Sequence, residues 1–516
     1  MPLKDFFRET FVGRMINIIS RNRLLRAPTP ELPQSDKLGH QLSRQSSLNR
    51  SASRSSADEI AEKGAGGHLV DWSSTTDPDN PQNWPLWKKL YSTAVICILT
   101  FSIYVGSAIY TVGLEGITEQ FQVGHGTATL GLSLFVFGYG IGPMILAPFA
   151  EAPPIGRMPV YVITHLIFLF LNFGVVYAKD IGMLLAFRFL TGFFGSPVLA
   201  TGGASLGDVW SPKKVSYAIG IWGNFAICGP VLGPLAAGFA VQAKGWKWSI
   251  WELIWLNAFT AVLLVFTLVE TSSDNILFRR ATKIRKMTGD KEFKTAAEIE
   301  AERMPVKEIV ISSLYRPFML CFTEPILMAQ NLYLGLIYAL LYCWFEAFPL
   351  VFNGIYHFNL GELGLSYIGL LVGAVIFTIP YFYWIRKKIE PNTNEDGTIA
   401  PEKRLPAAIV GSLFLPICLF WVGWSARSSV HWIMPISGSA FFTIGAGTLF
   451  NALLSYQSDA YPKVVGSVLA GNDFARAMFG CSLLGFLSIA FIPIPIAIYY
   501  YGERSRKSSK YARHDI

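Results

Sequence analysis

Charge is scarce in this sequence. Only 15% of its 516 residues are Asp, Glu, Lys or Arg, whereas 52% are hydrophobic. Soluble domains carry about 25% charged residues, so a surface this poor in charge cannot all face water. Cysteine is scarce as well: Cys97, Cys228, Cys321, Cys343, Cys418 and Cys481 all lie in or beside apolar blocks, with no CxxC and no zinc spacing. They read as small packing residues, with no disulfide framework and no metal site. No GxxxxGK[ST] loop is evident to cradle ATP, and no HExxH or GxSxG supports a hydrolase. The N-terminus lacks the unbroken apolar run of a signal peptide, because Arg8, Glu9 and Arg14 interrupt it.

Long hydrophobic runs are what the sequence has in abundance. Blocks of about 20 apolar residues, the length that crosses a ~30 Å hydrocarbon core, occupy approximately 90–112, 127–149, 159–178, 181–205, 217–242 and 251–269. A hydrophilic stretch, 270–316, separates these from 319–345, 363–385, 405–424, 432–456 and a final run, 464–501. Backbone groups in lipid must pair within their own segment, so each block is a helix. The 46 glycines and 29 prolines are compatible with this, since neighbouring helices re-satisfy freed backbone groups. Residues 1–88 form a polar tail. Its start, Asp5 to Ile16, reads as an amphipathic helix, lying either on an anionic leaflet or on the protein's own end. Residues 42–56 are Ser/Arg-rich and expected to be disordered.

The net charge of +8 does not mark a nucleic-acid surface. Arg279, Arg280, Lys283, Arg285 and Lys286 fall in the central stretch, Arg386 to Lys388 after the eighth span, Lys213 and Lys214 between spans four and five, and Arg504, Arg506, Lys507 and Lys510 at the end. All share one side if the N-terminus is inside, while the opposite loops are thin in charge. The positive-inside rule therefore predicts both termini in the cytoplasm. Taking the final run as two spans gives six spans, a charged middle and six more, the layout of a transporter built from two repeated halves, with its site at their interface. The expected boundaries are a tail at 1–88, halves at 89–269 and 318–502, a central loop at 270–317 and a C-terminal tail at 503–516.

Between spans two and three runs Ala147-Pro148-Phe149-Ala150-Glu151-Ala152-Pro153-Pro154-Ile155-Gly156-Arg157-Met158-Pro159. Span four carries Arg188-Phe189-Leu190-Thr191-Gly192-Phe193-Phe194-Gly195-Ser196-Pro197, and span five carries Gly223-Asn224-Phe225-Ala226-Ile227-Cys228-Gly229-Pro230-Val231-Leu232-Gly233-Pro234. Together with Asn80-Pro81-Gln82-Asn83-Trp84-Pro85 and Tyr342-Cys343-Trp344-Phe345-Glu346, these resemble the signatures of the major facilitator superfamily in its fungal drug:proton antiporter branch, the benomyl/methotrexate and azole resistance transporters of yeasts. The resemblance implies an all-α membrane protein with the superfamily fold and proton-driven efflux of varied, mostly apolar toxic molecules. It also implies a multi-pass protein of the plasma membrane, acting as a monomer among lipid, with no cofactor beyond the proton gradient.

The first segment needs a tight turn with an acid and a base to lock neighbouring helix ends, roles that fall to Gly156, Glu151 and Arg157. By the resemblance, Arg188 is linked to proton transfer; an arginine inside an apolar span costs about 2.5–3.5 kcal/mol on insertion scales. Arg188 and Asp208 are the candidates for a proton-coupled network, Asp208 being alternatively a helix-end residue. Gly223, Gly229, Pro230, Gly233 and Pro234 form the antiporter motif, where small residues admit close helix approach and the prolines can bend the span. Candidate substrate-lining residues are Asn224, Tyr338, Tyr342, Trp344, Phe345 and Glu346, each able instead to face lipid.

The run 464–501 is too short for two spans of ~20 residues plus a turn. A segment between Gly480 and Cys481 is expected to be absent, through a gene-model error or a truly shortened C-terminal half within spans 11–12. Alternatives remain: an importer or facilitator of a defined nutrient, an inactive paralogue, or a non-transporting membrane sensor or enzyme.

Overall fold

The computed structural model describes residues 7–20, 69–303, 306–394 and 398–479. Among them, ten helical stretches are long and apolar enough to cross a membrane: Leu86–Phe121, His125–Glu151, Arg157–Val176, Ile181–Val209, Pro212–Lys244, Lys247–Thr267, Pro325–Asn353, Leu360–Asn392, Pro401–Ser425 and Ile433–Ala460. They are spans 1 to 10. Ahead of them lies α1 (Phe11–Ile19). Span 1 comprises α2 (Leu86–Ala108) and α3 (Leu114–Phe121), span 2 is α4 (His125–Glu151) and span 3 is α5 (Arg157–Val176). Span 4 is divided into α6 (Ile181–Gly195) and α7 (Pro197–Val209); α8 (Pro212–Lys244) and α9 (Lys247–Thr267) are spans 5 and 6. Next come α10 (Ser273–Thr288), α11 (Ala296–Arg303) and α12 (Val306–Thr323). The later spans are built on α13 (Pro325–Phe348), α14 (Leu360–Ser366) with α15 (Ile368–Trp384), α16 (Leu405–Ser425) and α17 (Ile433–Ala460), followed by α18 (Val465–Phe479).

Local chemistry sets several of these boundaries. The Asp180 carboxylate accepts from the Met183 N–H and opens α6, and Asn359 with Glu362 makes a reciprocal capping box at α14. Pro197 supplies the first residue of α7 and divides span 4 at Ser196. Pro230 and Pro234, expected to allow a bend, lie inside α8, which runs unbroken for 33 residues. The polar stretch between spans 6 and 7 is partly helical: α10 and α11 lie in it, and α12 begins within it. Glu324 separates α12 from α13, so the apolar block 319–345 spans two helices.

One end of the bundle is tied down by ion pairs. The segment from Val70 to Trp84 docks on α10, where Arg280 Nη1 donates to Asp77 Oδ2 at 2.7 Å and Nη2 to Asp79 at 3.1 Å. Burial acts to raise the Asp77 carboxyl, but hydrogen bonds from Arg280 and Ser73 outweigh it and hold it below the usual carboxylate range. Helix α1 packs against α5 and α9. Of the two expected positions for α1, the structure shows the one on the protein's own end. Glu9 meets Lys88 at 2.9 Å, and Arg14 meets Glu270 at 3.7 Å. Burial, joined by Arg279, pulls the Arg14 guanidinium down to about 9 against the opposing pull of Glu270 and Glu9.

The first six spans meet the later ones along a seam where α8 packs on α14, α15 and α17, and α4 packs on α18. Polar bonds cross this seam along its length. At the ion-paired end, Tyr217 donates to Glu390 at 3.0 Å and Arg404 Nη1 to Ser216 at 2.8 Å. Asn224 Nδ2 reaches Thr378 Oγ1 at 2.7 Å, and the hydroxyls of Tyr139 and Tyr342 are 3.0 Å apart. Toward the opposite end, the Gly361 N–H donates to Gln242 Oε1 at 3.0 Å. The two groups of spans therefore touch at both ends and in the middle. The expectations for 480–501, including the absent segment and span 12, and those for residues 42–56 lie outside the described residues.

Candidate functional site

The loop between spans 2 and 3 is held by one carboxylate. Gly156 takes φ +81°, and a Cβ there would lie 2.6 Å from Glu270 Oε2 and 2.7 Å from Asn275 Cγ, so only glycine fits the turn. Glu270, buried to 2% exposure, accepts from the backbone N–H of Arg157 at 3.1 Å and of Met158 at 3.3 Å. It thereby sits at the N-terminus of α5, where the helix dipole favours an anion. The N–H groups of Thr271 and Ser272 add two further bonds at 3.1 Å each.

Glu151 and Arg157 were expected to lock the ends of neighbouring helices. The Arg157 guanidinium makes a short ion pair with Asp208, joining the start of span 3 to the end of span 4. Glu151, at the end of α4, lies against Gly466 in the first turn of α18, on the other side of the seam. Gly156 turns the chain so that Arg157 begins α5 facing α7, while Glu151 at the end of α4 also reaches the later spans.

Arg188 is fully buried. Its Nε donates to Gly131 O at 3.1 Å and its Nη1 to Gly106 O at 3.0 Å, with Ser107 O at 3.5 Å from Nη2. The rings of Tyr110 and Phe135 lie 4.5 and 4.4 Å from its Cζ. Carbonyl dipoles and ring faces thus hold this cation where three spans meet. The structure does not bring Asp208 to it. Both residues are on span 4, but twenty residues of helix, about 30 Å of rise, lie between them. The expected Arg188–Asp208 network is therefore two separate sites.

The glycines of span 5 act as close-approach points. A Cβ at Gly229 would meet Tyr104 Cβ at 2.7 Å and Phe101 O at 3.1 Å, and one at Gly233 would lie 3.1 Å from Ile109 N, so both face span 1. Gly223 looks instead across the seam at Asn451 Oδ1, 3.1 Å from its added Cβ. Pro230 and Pro234 are buried between these contacts.

None of the aromatic substrate candidates faces outward. Tyr338, Tyr342, Trp344 and Phe345 are buried in a web of rings in which Tyr338 and Tyr342 are 5.5 Å apart and Phe345 and Tyr367 5.8 Å. The indole N–H of Trp344 and one oxygen of half-buried Glu346 are buried without hydrogen-bond partners, as is Asn224 Oδ1. Tyr139 and Tyr342 place this web on the seam.

Two arrangements escaped the sequence reading. Arg404, just before α16, donates through Nε to Asp459 near the end of α17. This repeats the Arg157–Asp208 pair in the later spans, one arginine starting a span and one aspartate ending the next. A signal was present: Asp208-Val209-Trp210-Ser211-Pro212-Lys213 recurs as Asp459-Ala460-Tyr461-Pro462-Lys463. The role of Glu270 was the other omission, and its bonds to the N–H groups of Arg157 and Met158 leave no trace in local sequence.

The comparisons with known proteins agree with this architecture. The model of the Major Facilitator Superfamily matches residues 96–485. Transporter mfs1 of Schizosaccharomyces pombe is 43% identical over 469 residues, covering 86% of this chain and 88% of that protein. Fluconazole resistance protein 1 of Saccharomyces cerevisiae is 40% identical over 494 residues, covering 90% and 89%. Multidrug transporter FLR1 of Candida glabrata is 41% identical, covering 86% and 84%. A solved structure of the proton:xylose symporter XylE superposes with a TM-score of 0.56 at 14% identity, covering 82% of this chain and 96% of that one, which establishes the fold alone. With its spans, its paired seam and these relatives, the chain is a multi-pass helical membrane protein that belongs to the Major Facilitator Superfamily.

Proposed function

We propose that the chain exports structurally varied, mostly apolar toxic molecules in exchange for protons, by alternating access between two six-span halves, 89–269 and 318–502. The observation that carries this reading is its similarity to Fluconazole resistance protein 1 and Multidrug transporter FLR1, at 40% and 41% identity over at least 86% of the chain. The geometry supports it. A closed seam must open at one end at a time for a solute to pass, and its bonds are few, separate and polar. In this reading the Arg157–Asp208 and Arg404–Asp459 pairs brace the same end of each half, and Glu151 against Gly466 closes that end. Arg188 keeps its charge and holds spans 1, 2 and 4 in register. Gly223, Gly229, Pro230, Gly233 and Pro234 set the path of span 5 along the seam, and Tyr338, Tyr342, Trp344, Phe345, Glu346 and Asn224 line the solute site.

In this reading the ion-paired end and both termini face the cytoplasm, as the positive-inside rule applied to the basic residues supports. The plasma membrane is the site of action, and the chain works as a monomer. Expression in a yeast lacking its own drug pumps, challenged with a panel of unrelated toxicants, tests the reading. Resistance to several chemically distinct compounds, with lower intracellular accumulation, is expected. Sensitivity equal to the empty host, with the protein present at the cell surface, would refute it.

A further inference from the structure

The antiport reading needs a group that takes up and releases a proton within the membrane, and Arg188 is a poor one, because a guanidinium stays protonated in proteins. The later spans contain a different ionisable pair on the seam. Asp473 and Arg476 lie one turn apart on α18, 4% and 6% exposed, and form a direct ion pair. They sit about 12 and 16 Å along the helix from its start at Val465, where α18 packs on α4, α12 and α13. Asp473 Oδ2 and Arg476 Nε are both buried without a hydrogen-bond partner, so the pair is not fully satisfied. Ionisable residues in such positions are expensive, and a functional role is their default explanation.

The surroundings suit a pair that opens and closes. The Arg476 guanidinium lies 5.0 Å from the ring centre of Tyr338 and 4.9 Å from that of Phe450. Tyr104 of span 1 is within hydrogen-bonding reach of both Tyr338 and Arg476. From span 2, Gly140 packs on Ala477, and Tyr139 joins Tyr342 across the seam. Helix α12 presents Cys321 beside Gly471. The buried Tyr456 belongs to span 10, whose Asp459 is held at the helix end by Arg404, as Asp208 is held by Arg157 at the end of α7. Next to the pair runs a buried amide chain: Asn472 Nδ2 donates to Asn331 Oδ1 at 2.7 Å, and Gln457 Nε2 donates to the same oxygen at 3.3 Å. The pair has no charged counterpart in the first six spans, although Gly223-Asn224-Phe225-Ala226 resembles Gly471-Asn472-Asp473-Phe474-Ala475.

We propose that Asp473 is the carboxylate that carries the exchanged proton, with Arg476 as its charge partner. This rests on the antiport reading above. The deprotonated pair is neutral overall and tolerates an apolar or weakly cationic solute against the tyrosines. A proton taken from one side converts Asp473 to its acid, breaks the pair and leaves a net positive charge on Arg476, which the ring faces and Tyr104 then hold. That charge disfavours the solute. Loss of the proton to the other side restores the pair, and no electrons move.

The test uses purified full-length protein in proteoliposomes, with a transported toxicant as probe. Three readouts are followed: accumulation driven by an imposed pH gradient, solute counterflow without a gradient, and probe affinity against pH. For Asp473→Asn, gradient-driven accumulation is expected to fall about tenfold or more, the scale of a coupling free energy of this kind, while counterflow persists and affinity loses its pH dependence. Asp473→Glu is expected to restore coupling. Full gradient-driven accumulation by Asp473→Asn overturns the assignment, as does loss of counterflow in protein that remains monodisperse. If the asparagine variant does not fold, Asp473→Glu decides: a displaced pH midpoint of probe affinity supports the proposal and an unmoved one overturns it. A wild-type protein that ignores the pH gradient would refute the antiport reading itself, a result distinct from any of these.

Discussion

A side chain at Gly229 should slow the transporter without removing its substrate site. An added Cβ would lie 2.7 Å from Tyr104 Cβ, 3.1 Å from Phe101 O and 3.2 Å from Val105 N. Ordinary carbon–carbon contact begins near 3.5–4.0 Å, so spans 1 and 5 must separate by about 1 Å to admit even alanine. Overpacking of this size costs about 1–3 kcal/mol. Span 1 also carries Tyr104 on the seam, so the cost falls unequally on conformations that differ in how the seam is closed. Borne by one conformation alone, it shifts the equilibrium by roughly 5- to 150-fold. Gly229→Leu should therefore reduce transport turnover strongly and equilibrium binding of the solute much less, with Gly229→Ala intermediate. Gly207→Ala is the control: nothing lies within 4 Å of its added Cβ, and alanine is the better helix former. Reconstituted protein assayed for initial transport rate and for binding separates the two effects. Unchanged transport rates in Gly229→Leu would refute the close-approach argument.

Arg188→Ala should remain folded and at the membrane but lose gradient-driven transport, because the carbonyls of Gly106, Ser107 and Gly131 lose their shared donor. Arg188→Lys, without the planar fork, should recover it in part, and normal transport by the alanine variant at normal surface abundance would refute the role. At the ion-paired end, Arg157→Gln and Asp208→Asn should each lower thermal stability by ~1.5–3 kcal/mol, and the double variant should lose less than the sum; strict additivity in a double-mutant cycle would show that the pair does not act as one. Asp77 is held below the usual carboxylate range by Arg280, so its stabilisation is present in full above the unfolded value of about 4 and is lost as pH falls through the folded value. Protease protection of the Val70 to Trp84 segment should therefore be lower in Asp77→Asn than in wild type at pH 7, with the gap closing under acid; a gap that widens toward low pH would contradict the sign.

The spans were legible because a hydrocarbon slab imposes a length and a polarity that local sequence must satisfy. Arg188 was legible for the same reason, as a charge where charge is costly, and Gly156 because a tight turn demands it. Partnership was not legible. Arg157 could have paired with Glu151 six residues away, but the turn at Gly156 hands it to Asp208, fifty-one residues on. Nothing local announces that Glu270 caps α5, because the two N–H groups it caps there, of Arg157 and Met158, lie more than a hundred residues away. Asp473 and Arg476 lay in a segment, Ala470 to Gly480, that resembles a family motif but was given no role, and their significance depends on tyrosines from spans 1 and 7. The Arg404–Asp459 pair was recoverable, through the repeat of the Asp–aromatic–Pro–Lys segment, but only by comparing the chain with itself.

Solute movement against a pH gradient, in proteoliposomes holding only this protein, tests the central claim most directly. Vesicles with an acidic lumen and the ion-paired end facing outward should concentrate an added toxicant inside as protons leave, and an ionophore that collapses the gradient should release it. Accumulation no greater than in protein-free vesicles, or equilibration that ignores the gradient, would contradict proton-driven export by this chain.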